Sequence, residues 1–328
     1  MKKVLSILLV AVMLFGAVAA FSSCSKKQDS FTVGVCQLVP HVALDAATQG
    51  FIDALTAEFG DKITILNENA SGDTQTCTTI VNNFVSKKVD LIMANATPAL
   101  QAAANGTDSI PVLGTSITEY GTALGIENFT GVVGGNVSGT SDLAPLAPSK
   151  DDPTAPNQAD MVKELFPDTK TVSILFCTSE ANSLYQVKVV KAALEAKGIT
   201  VVECGFTDSN DVTVAAQKAA GADVIYIPTD NTCATCATVI DGVIGDTPVI
   251  AGEEGICEKC GVATLSISYY DLGVTTGKMA AKILKGEAKV SEMKIEYAPA
   301  VKKFNAAKCA QLGIDTADLI AKGYTAID

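Results

Sequence analysis

Short apolar runs rich in β-branched residues alternate with amphipathic segments along the chain, and this alternation constrains the fold most. The amphipathic segments, such as 43–59 and 185–198, carry apolar residues at helical spacing. Parallel sheets covered by helices on both faces produce this order, so the chain is predicted to be an α/β protein. The predicted strands are 31–39, 62–70, 89–96, 110–117, 170–178, 199–206, 222–230, 247–253 and 262–268.

A chain of 328 residues is longer than one core commonly supports, so we expect two domains. The strands and helices fall into two blocks on either side of GGNVSGTSDLAPLAPSKDDPTAPNQAD (134–160). This stretch is rich in Gly, Pro, Ser and Asp and has no regular apolar period. Its composition predicts a loop and crossover rather than a core element, and it permits a hinge between two similar lobes.

The N-terminal segment has the features of a processing signal. Lys2 and Lys3 precede the apolar run VLSILLVAVMLFGAVAA, and FSSC ends at Cys24. The run of about 17 residues is at the short limit for a membrane span, and small residues before a cysteine resemble the lipobox of bacterial lipoproteins. We therefore expect a signal peptide over 1–23, a lipid-modified Cys24 and a tether over 25–30. A transmembrane anchor is the alternative.

The charge balance excludes some partners. Asp and Glu number 36 against 24 Lys and Arg, which gives a formal net charge of −12. Such a surface repels nucleic acid and anionic head groups, so no nucleic-acid partner is expected. The chain contains no Arg, which removes the usual bidentate clamp for a carboxylate or phosphate. Hydroxyl groups, backbone amides or Lys must bind any anionic group of a ligand.

Small polar and acidic side chains follow the predicted strands in both blocks. Ligands of open parallel sheets bind beyond the carboxyl ends of the strands, and pockets form readily between domains. Each residue could instead cap the helix that follows it, but together they predict a polar cleft between the lobes. The residues are Gln37, Asn95, Thr97, Ser116, Thr118, Thr178, Ser179, Glu180, Thr229, Asp230, Asn231, Glu253, Glu254, Ser266, Ser268 and Tyr269.

Several strings along the chain resemble one family in collinear order. They are GVCQLVPHVALDAATQGFIDAL, VDLIMANATPALQAA, GGNVSGTSD, TVSILFCTSEANSLYQV, VIYIPTDNT, PVIAGEEG and SYYDLGVTTGKMAAKILKGEA. The segment from about 31 to 300 is similar to the substrate-binding lipoproteins of ABC importers. More narrowly, it resembles the tryptophan/tyrosine-binding branch, which also contains uncharacterised transport systems. The resemblance implies a type I periplasmic-binding-protein fold, with two Rossmann-like lobes, parallel sheets and a ligand cleft at the hinge.

The resemblance also implies lobe boundaries and cleft residues. The family's chain crosses between lobes three times, which gives lobe 1 as 31–142 plus 262–290 and lobe 2 as 158–255 plus 291–328. Residues 147–157 depart from the family and read as an insertion. The implied cleft residues are Gln37, Thr97, Ser116, Glu180, Asn182, Ser183, Asp230, Asn231, Glu253 and Tyr269.

Related proteins are thought to bind amino acids, often aromatic ones, and the residue types permit this. The candidate acceptors for an α-ammonium group are Asp230, Glu180 and Glu253. The candidate donors to an α-carboxylate are the hydroxyl groups of Ser116, Thr118 and Ser183 and free amides at helix N termini. Tyr269, Tyr270 and Tyr185 could form an aromatic wall or simply pack in the core. A nucleoside or sugar is the alternative ligand.

A binding protein of this kind needs neither a catalytic residue nor a cofactor. Its expected partners are a small ligand, the membrane subunits of an ABC permease and, through the lipid anchor, the bacterial cell membrane, with the protein itself a monomer. An enzyme with a Ser-His-Asp triad would have to use His41, the single histidine, and the chain has no G-x-S-x-G elbow. We place His41 at the rim of the cleft.

Two Cys-x-x-Cys pairs, Cys233/Cys236 and Cys257/Cys260, have the spacing of a structural zinc site. Both pairs follow predicted strands of lobe 2, so their sulfurs could approach one another. A lobe with its own sheet does not need zinc to fold, and an exterior location favours disulfides where thiols meet. Free thiols, disulfides and, more remotely, bound zinc all stay open. Nine cysteines remain besides Cys24, so at least one lacks an intramolecular partner.

Overall fold

The computed structural model describes residues 30–144 and 157–327, and the structural statements below concern these ranges. The expected signal peptide, Cys24, the tether up to residue 29 and the insertion up to residue 156 lie outside them. In the two ranges no helix combines the length and apolarity needed to cross a membrane.

The described chain forms two α/β lobes, each built on its own sheet. The helices are α1 (Val42–Phe59), α2 (Thr74–Lys87), α3 (Thr97–Gly106), α4 (Tyr120–Leu124), α5 (Gln158–Leu165), α6 (Ala181–Ala196), α7 (Val212–Ala219), α8 (Asn231–Ile244), α9 (Glu254–Cys260), α10 (Tyr269–Leu284), α11 (Ala306–Gln311) and α12 (Thr316–Ala321). Short 3-10 turns occupy Gly60–Lys62 and Val290–Glu292.

The first sheet has the strand order β11-β5-β4-β3-β1-β2, and all its strands are parallel. Alternate residues of its central strands face opposite sides. Val35 and Met93 pack against α1 and α10, while Cys36 and Ala94 pack against α2 and α3. Both faces are therefore buried, as the continuous apolar runs predict. The strands are β1 (Phe31–Gln37), β2 (Ile63–Asn69), β3 (Leu91–Asn95), β4 (Val112–Ile117), β5 (Val137–Ser141) and β11 (Glu296–Tyr297).

The second sheet has the order β13-β12-β10-β9-β8-β6-β7. Its strands are parallel except for the antiparallel pair formed by β10 and β12. Two apolar clusters cover its faces, one containing Tyr226 and Ile250 and the other containing Ile225 and Val249. The strands are β6 (Thr171–Cys177), β7 (Thr200–Phe206), β8 (Val224–Ile227), β9 (Val249–Ala251), β10 (Ala263–Ser266), β12 (Val301–Phe304) and β13 (Thr325–Ala326).

The composition of the glycine-rich stretch 134–160 predicts a loop, but the structure shows regular elements within it. It contains β5, which is buried along its length and pairs with β4 and β11, and it ends in the first residues of α5. Gly139 in the middle of β5 has a φ of 144°, and a Cβ there would lie 2.1 Å from the carbonyl oxygen of Gly114. Because β4 lies so close, β5 requires small residues, and a strand of small residues lacks the apolar pattern by which strands are predicted from sequence.

Strand pairing also corrects the expected lobe boundaries. The assignment of 262–290 to lobe 1 is wrong for β10, because β10 pairs with β9 and β12 in the second sheet. The assignment of 291–328 to lobe 2 is wrong for β11, which pairs with β5 in the first sheet. The chain thus passes to the first lobe between Ser266 and Tyr269 and returns between Tyr297 and Val301. These crossings place Tyr269 beside the space between the sheets.

Candidate ligand site between the lobes

A small, largely closed cavity lies between the lobes, at the carboxyl ends of the central strands. The first lobe contributes side chains from the start of α1 and from the ends of β4 and β5. The second lobe contributes side chains from the ends of β6, β8 and β9, and Tyr269 follows β10. This is the position that open parallel sheets give to ligands. The cavity is lined by His41, Leu44, Ser116, Thr118, Asp142, Asn182, Thr229, Asp230, Asn231, Ala234, Glu253 and Tyr269.

The predicted cleft residues divide into those that line this cavity and those that do not. The lining set contains Ser116, Thr118, Asn182, Asp230, Asn231, Glu253 and Tyr269. The residues outside the lining are Gln37, Thr97, Glu180 and Ser183. Asp142 is an acidic lining residue that the sequence analysis did not single out. It directly follows β5, the strand hidden in the glycine-rich stretch.

Three carboxyl groups face the cavity, and each belongs to a residue that is at most 5% exposed. Burial raises the pKa of Asp142 to about 6 and that of Glu253 to about 7. Burial and the neighbouring Glu180 carboxylate raise the pKa of Asp230 to about 7. No Lys lies among the residues that line this cavity. Its wall therefore favours a cation and opposes an anion.

Asp230 fastens three elements of the second lobe together. Its Oδ1 accepts a hydrogen bond from the Cys233 amide at 2.7 Å and so caps α8. Its Oδ2 accepts from the Cys177 amide at the end of β6 and from Ser183 Oγ, both at 2.7 Å. Ser183 is fully buried and its hydroxyl group donates to Asp230. It does not line the cavity, although the sequence analysis placed it in the cleft.

Glu180 is likewise used by the protein itself. One carboxylate oxygen accepts from the amide and side chain of Asn231 at 2.9 and 2.7 Å. The other accepts from the amide and hydroxyl of Thr232 at 2.9 and 2.7 Å. Asn182 Nδ2 adds a fifth donor at 3.1 Å. With both oxygens occupied, Glu180 holds the start of α8 against the start of α6 rather than facing the cavity.

Gln37 and Thr97 also lie outside the cavity. Gln37 Oε1 accepts from Thr48 Oγ1 at 2.6 Å, and Nε2 donates to Asp45 Oδ1 at 2.6 Å and to the Val39 carbonyl at 2.9 Å. These bonds attach the end of β1 to α1. Thr97 is buried as the first residue of α3. Both side chains support the first lobe below the cleft.

Glu253 caps α9 while its carboxylate borders the cavity. Oε2 accepts from the Gly255 amide at 2.7 Å, and Oε1 accepts from the Ile256 amide at 2.5 Å. These amide donors partly offset the effect of burial on its pKa. A Gln at this position would keep one acceptor oxygen for these amides, while its NH2 group would replace the other oxygen and the negative charge would be lost.

Asp142 differs from the other two acids because only one of its oxygens is engaged. Tyr269 OH donates to Asp142 Oδ2 at 2.9 Å, while Oδ1 is buried without a hydrogen-bond partner. The Thr118 hydroxyl lies beside this carboxyl group and lowers its pKa against the effect of burial. The bond from Tyr269 joins the end of β5 to the start of α10.

His41 and Asn231 meet across the cleft, with His41 Nε2 at 3.4 Å from Asn231 Oδ1. Asn231 Nδ2 donates to Glu180, which turns the amide oxygen toward the ring. Burial lowers the pKa of His41, so a neutral imidazole donates from Nε2 across the gap. His41 therefore links the two lobes from the wall of the cavity, whereas the sequence analysis placed it at the rim of the cleft.

The cysteines give no support to the zinc alternative. Cys36, Cys77, Cys177, Cys204, Cys233, Cys236, Cys257, Cys260 and Cys309 are free thiols, and all except the half-buried Cys236 are buried. Within residues 30–144 and 157–327, no group of three or more His, Cys, Asp or Glu side chains could hold a metal ion. Cys233, Cys257 and Cys260 instead pack in one apolar cluster of the second lobe.

Comparisons with known proteins agree with this architecture. The family profile described as ABC transporter substrate binding protein matches residues 32–326. A tyrosine-binding protein of Clostridioides difficile (strain R20291) is 36% identical over 307 residues, which cover 88% of this chain and 85% of that protein. An ABC domain from Streptococcus pneumoniae in complex with L-Trp has a TM-score of 0.82 at 30% identity, with 91% of this chain and 100% of that chain covered.

A second solved structure is also similar to this chain. It is the ligand-free, open form of a substrate-binding protein with adhesive properties from Clostridium difficile. The TM-score is 0.68 at 36% identity, with 91% of this chain and 99% of that chain covered. The tryptophan complex thus has the higher TM-score, although its identity to this chain is lower.

Proposed function

The chain belongs to the ABC transporter substrate-binding proteins, and we propose that it captures a free amino acid, with an aromatic side chain preferred, for an ABC importer. The observation that carries this proposal is the cavity lined by three buried carboxyl groups and no Lys. A buried group of negative charges is costly without a cation. The α-ammonium group of an amino acid supplies one, which a neutral sugar or nucleoside does not.

The rest of the cavity wall offers groups suited to the other parts of such a ligand. Leu44, Ala234 and the ring of Tyr269 offer apolar surface to a side chain. The hydroxyl group of Ser116 is available to a carboxylate in the absence of Arg. The tyrosine-binding relative and the L-Trp complex support an aromatic side chain.

We further propose that the mature protein is a monomer outside the cytoplasmic membrane, anchored by lipid on Cys24. The family resemblance and the N-terminal sequence support this location. A ligand that contacts both lobes favours the closed arrangement by its differential affinity. The membrane subunits of the permease would then recognise the closed form, and the protein would act by binding and release without a chemical step.

A thermal-shift screen of amino acids, nucleosides and sugars tests the proposed ligand class. A ligand at about 100 times its Kd stabilises the native state by about 2.7 kcal/mol, which corresponds to a rise of several degrees in Tm. We expect this response to L-tyrosine or L-tryptophan. A response to nucleosides or sugars alone would establish the alternative, and no response to aromatic amino acids would contradict the preferred ligand.

A further inference from the structure

Three buried polar atoms in the cavity wall have no hydrogen-bond partner within the protein. They are Ser116 Oγ, Asp142 Oδ1 and Asn182 Oδ1, and each belongs to a residue that is 5 or 6% exposed. Buried polar atoms nearly always have partners, and leaving one unpaired costs about 1–3 kcal/mol. Three such atoms around one cavity indicate groups that a ligand satisfies.

The orientations of Asp142 and Asn182 are fixed by their other contacts. Tyr269 OH engages Asp142 Oδ2 at 2.9 Å. Asn182 Nδ2 donates to the Thr229 carbonyl at 2.9 Å and to Glu180 at 3.1 Å. Because the Thr229 carbonyl and the Glu180 carboxylate can only accept, the amide cannot be reversed without losing these two bonds. Both unpartnered oxygens are therefore acceptors that require a donor.

The two oxygens belong to opposite lobes. Asp142 follows β5 of the first lobe, and Asn182 lies in the first turn of α6 in the second lobe. Asp230 and Glu253, the other acids of the cavity, each accept hydrogen bonds on both oxygens from within the second lobe. Asp142 alone among the three combines a charge with an unengaged oxygen.

We propose that a primary ammonium group of the ligand donates to Asp142 Oδ1 and Asn182 Oδ1 together, and that this bridge holds the two lobes closed. This assignment rests on the proposed function. Asp142 is then the residue that selects for the ammonium group, and Tyr269 positions it. An ammonium group has three donors and a positive charge, so it satisfies both acceptors and compensates the acidic wall. The Ser116 hydroxyl is left to donate to the ligand's carboxylate.

Binding of three related probes by isothermal titration calorimetry tests the assignment. The probes are L-tyrosine, tyramine, which lacks the carboxylate, and 3-(4-hydroxyphenyl)propanoate, which lacks the amine. For the wild-type protein we expect the propanoate to bind at least about 100-fold more weakly than L-tyrosine, because both acceptors stay unpaired and the acidic wall repels it. The affinity of tyramine should fall less, relative to that of L-tyrosine, than the affinity of the propanoate does.

The variant Asp142→Asn tests the residue itself. We expect L-tyrosine to bind about 30-fold or more weakly, while the propanoate binds as well as before or better because a repelling charge is gone. A general structural defect would weaken the binding of both probes, so this change in selectivity would identify the role of Asp142. The matched control is Asp53→Asn, because Asp53 Oδ2 accepts from Tyr270 OH at 3.0 Å in an exposed pair of the same chemistry. Its affinities should equal those of the wild type.

Small-angle X-ray scattering tests the bridge between the lobes. L-tyrosine and tyramine should reduce the radius of gyration of the wild-type protein, whereas saturating propanoate should not. If Asp142→Asn does not fold, the probe series on the wild-type protein still decides the question. Wild-type affinities for L-tyrosine and the propanoate within threefold of each other would overturn the ammonium assignment and leave the proposed function standing. Failure of both L-tyrosine and L-tryptophan to bind would instead overturn the proposed function.

Discussion

A carboxylate at the start of a helix can satisfy free backbone amides or bind a ligand, and the acids beside this cleft divide by how their oxygens are used. Glu180 directs both oxygens to Asn231 and Thr232, whereas Asp142 keeps one oxygen unengaged toward the cavity. The helix dipole favours the negative charge of Glu180 at the start of α6, whereas Asp142 directly follows β5. Residue type and strand-end position are therefore shared by both roles, and only the donors around each oxygen separate them.

Replacing Glu180 tests its structural role. Glu180→Ala leaves the amides of Asn231 and Thr232 at the start of α8 without their acceptor, so we expect the free energy of unfolding to fall by about 2–4 kcal/mol. The control is Asp73→Ala, which removes an exposed cap that accepts from the Thr76 amide at 2.6 Å and should cost about 1 kcal/mol. Urea unfolding measures both. Equal losses in the two variants would contradict the role assigned to Glu180.

The raised pKa values predict how stability depends on pH. Folded Glu253 retains its proton up to about pH 7, while the unfolded side chain releases it near pH 4.5. Its contribution to stability is thus full below the unfolded pKa and is lost as the pH rises through the folded pKa. Asp142 and Asp230 act in the same direction, whereas the lowered pKa of His41 acts in the opposite direction below its unfolded value.

Glu253→Gln isolates this effect because Gln retains an acceptor for the amides of α9. Relative to the wild type, the unliganded variant should gain stability between about pH 5 and pH 8, by about 3 kcal/mol at most. Differential scanning calorimetry of both proteins across this range measures the difference, and the contributions of His41 and the other acids cancel in it. A difference independent of pH would show that Glu253 titrates normally.

At the scale of elements, helices α1 and α10 approach so closely that only small residues fit between them. A Cβ on Gly50 would lie 2.1 Å from the Tyr270 carbonyl oxygen, and one on Gly273 would lie 2.0 Å from the Ala47 carbonyl oxygen. Helix α10 begins with Tyr269, which contacts Asp142. The packing of this helix pair therefore also positions the cavity wall.

Gly273→Ala tests the close contact between these helices. The added methyl group must displace the backbone of α1, so we expect a loss of about 2–3 kcal/mol in the free energy of unfolding. The control, Gly242→Ala in α8, has open space around the new methyl group and should stabilise the protein by about 0.5–1 kcal/mol. Opposite signs in chemical unfolding are the expected result, and a neutral Gly273→Ala would contradict the contact.

The composition of each strand explains whether the sequence analysis predicted it or missed it. Each of the nine predicted strands overlaps an observed one, because each carries an apolar or β-branched run in the sequence, even where the edge strands β2 and β7 are largely not buried. Strand β5, with the sequence VSGTS, has no such run, since contact with Gly114 and Tyr120 limits its residues in size. Missing β5 also hid Asp142, because the rule that ligands bind at strand ends needs the strand first. The short edge strands β11 and β13 have two residues each, which is too few for a pattern.

At the scale of the whole molecule, the arrangement of the two lobes depends on the side chains that meet or face each other between them. His41 of the first lobe and Asn231 of the second lie 3.4 Å apart, and Asp142 and Asn182 face the same cavity from opposite sides. A ligand that donates to both Asp142 and Asn182 would add a second connection between the lobes to the His41–Asn231 contact. Closure should therefore combine direct contacts such as the His41–Asn231 hydrogen bond with bonds made through the ligand.

Removing the direct bond should weaken ligand retention without harming the fold. His41→Ala deletes one hydrogen bond worth about 1 kcal/mol in the closed form, so we expect L-tyrosine to bind about fivefold more weakly through a faster dissociation rate. The Tm of the unliganded protein should stay close to that of the wild type, because His41 lies on the cleft wall. The control is Gln49→Ala on the same helix, whose side chain bonds only to Asp53 at 2.7 Å on the surface. Stopped-flow measurement of dissociation separates the cases, and an unchanged rate in His41→Ala would show that the His41–Asn231 hydrogen bond does not help to retain the ligand.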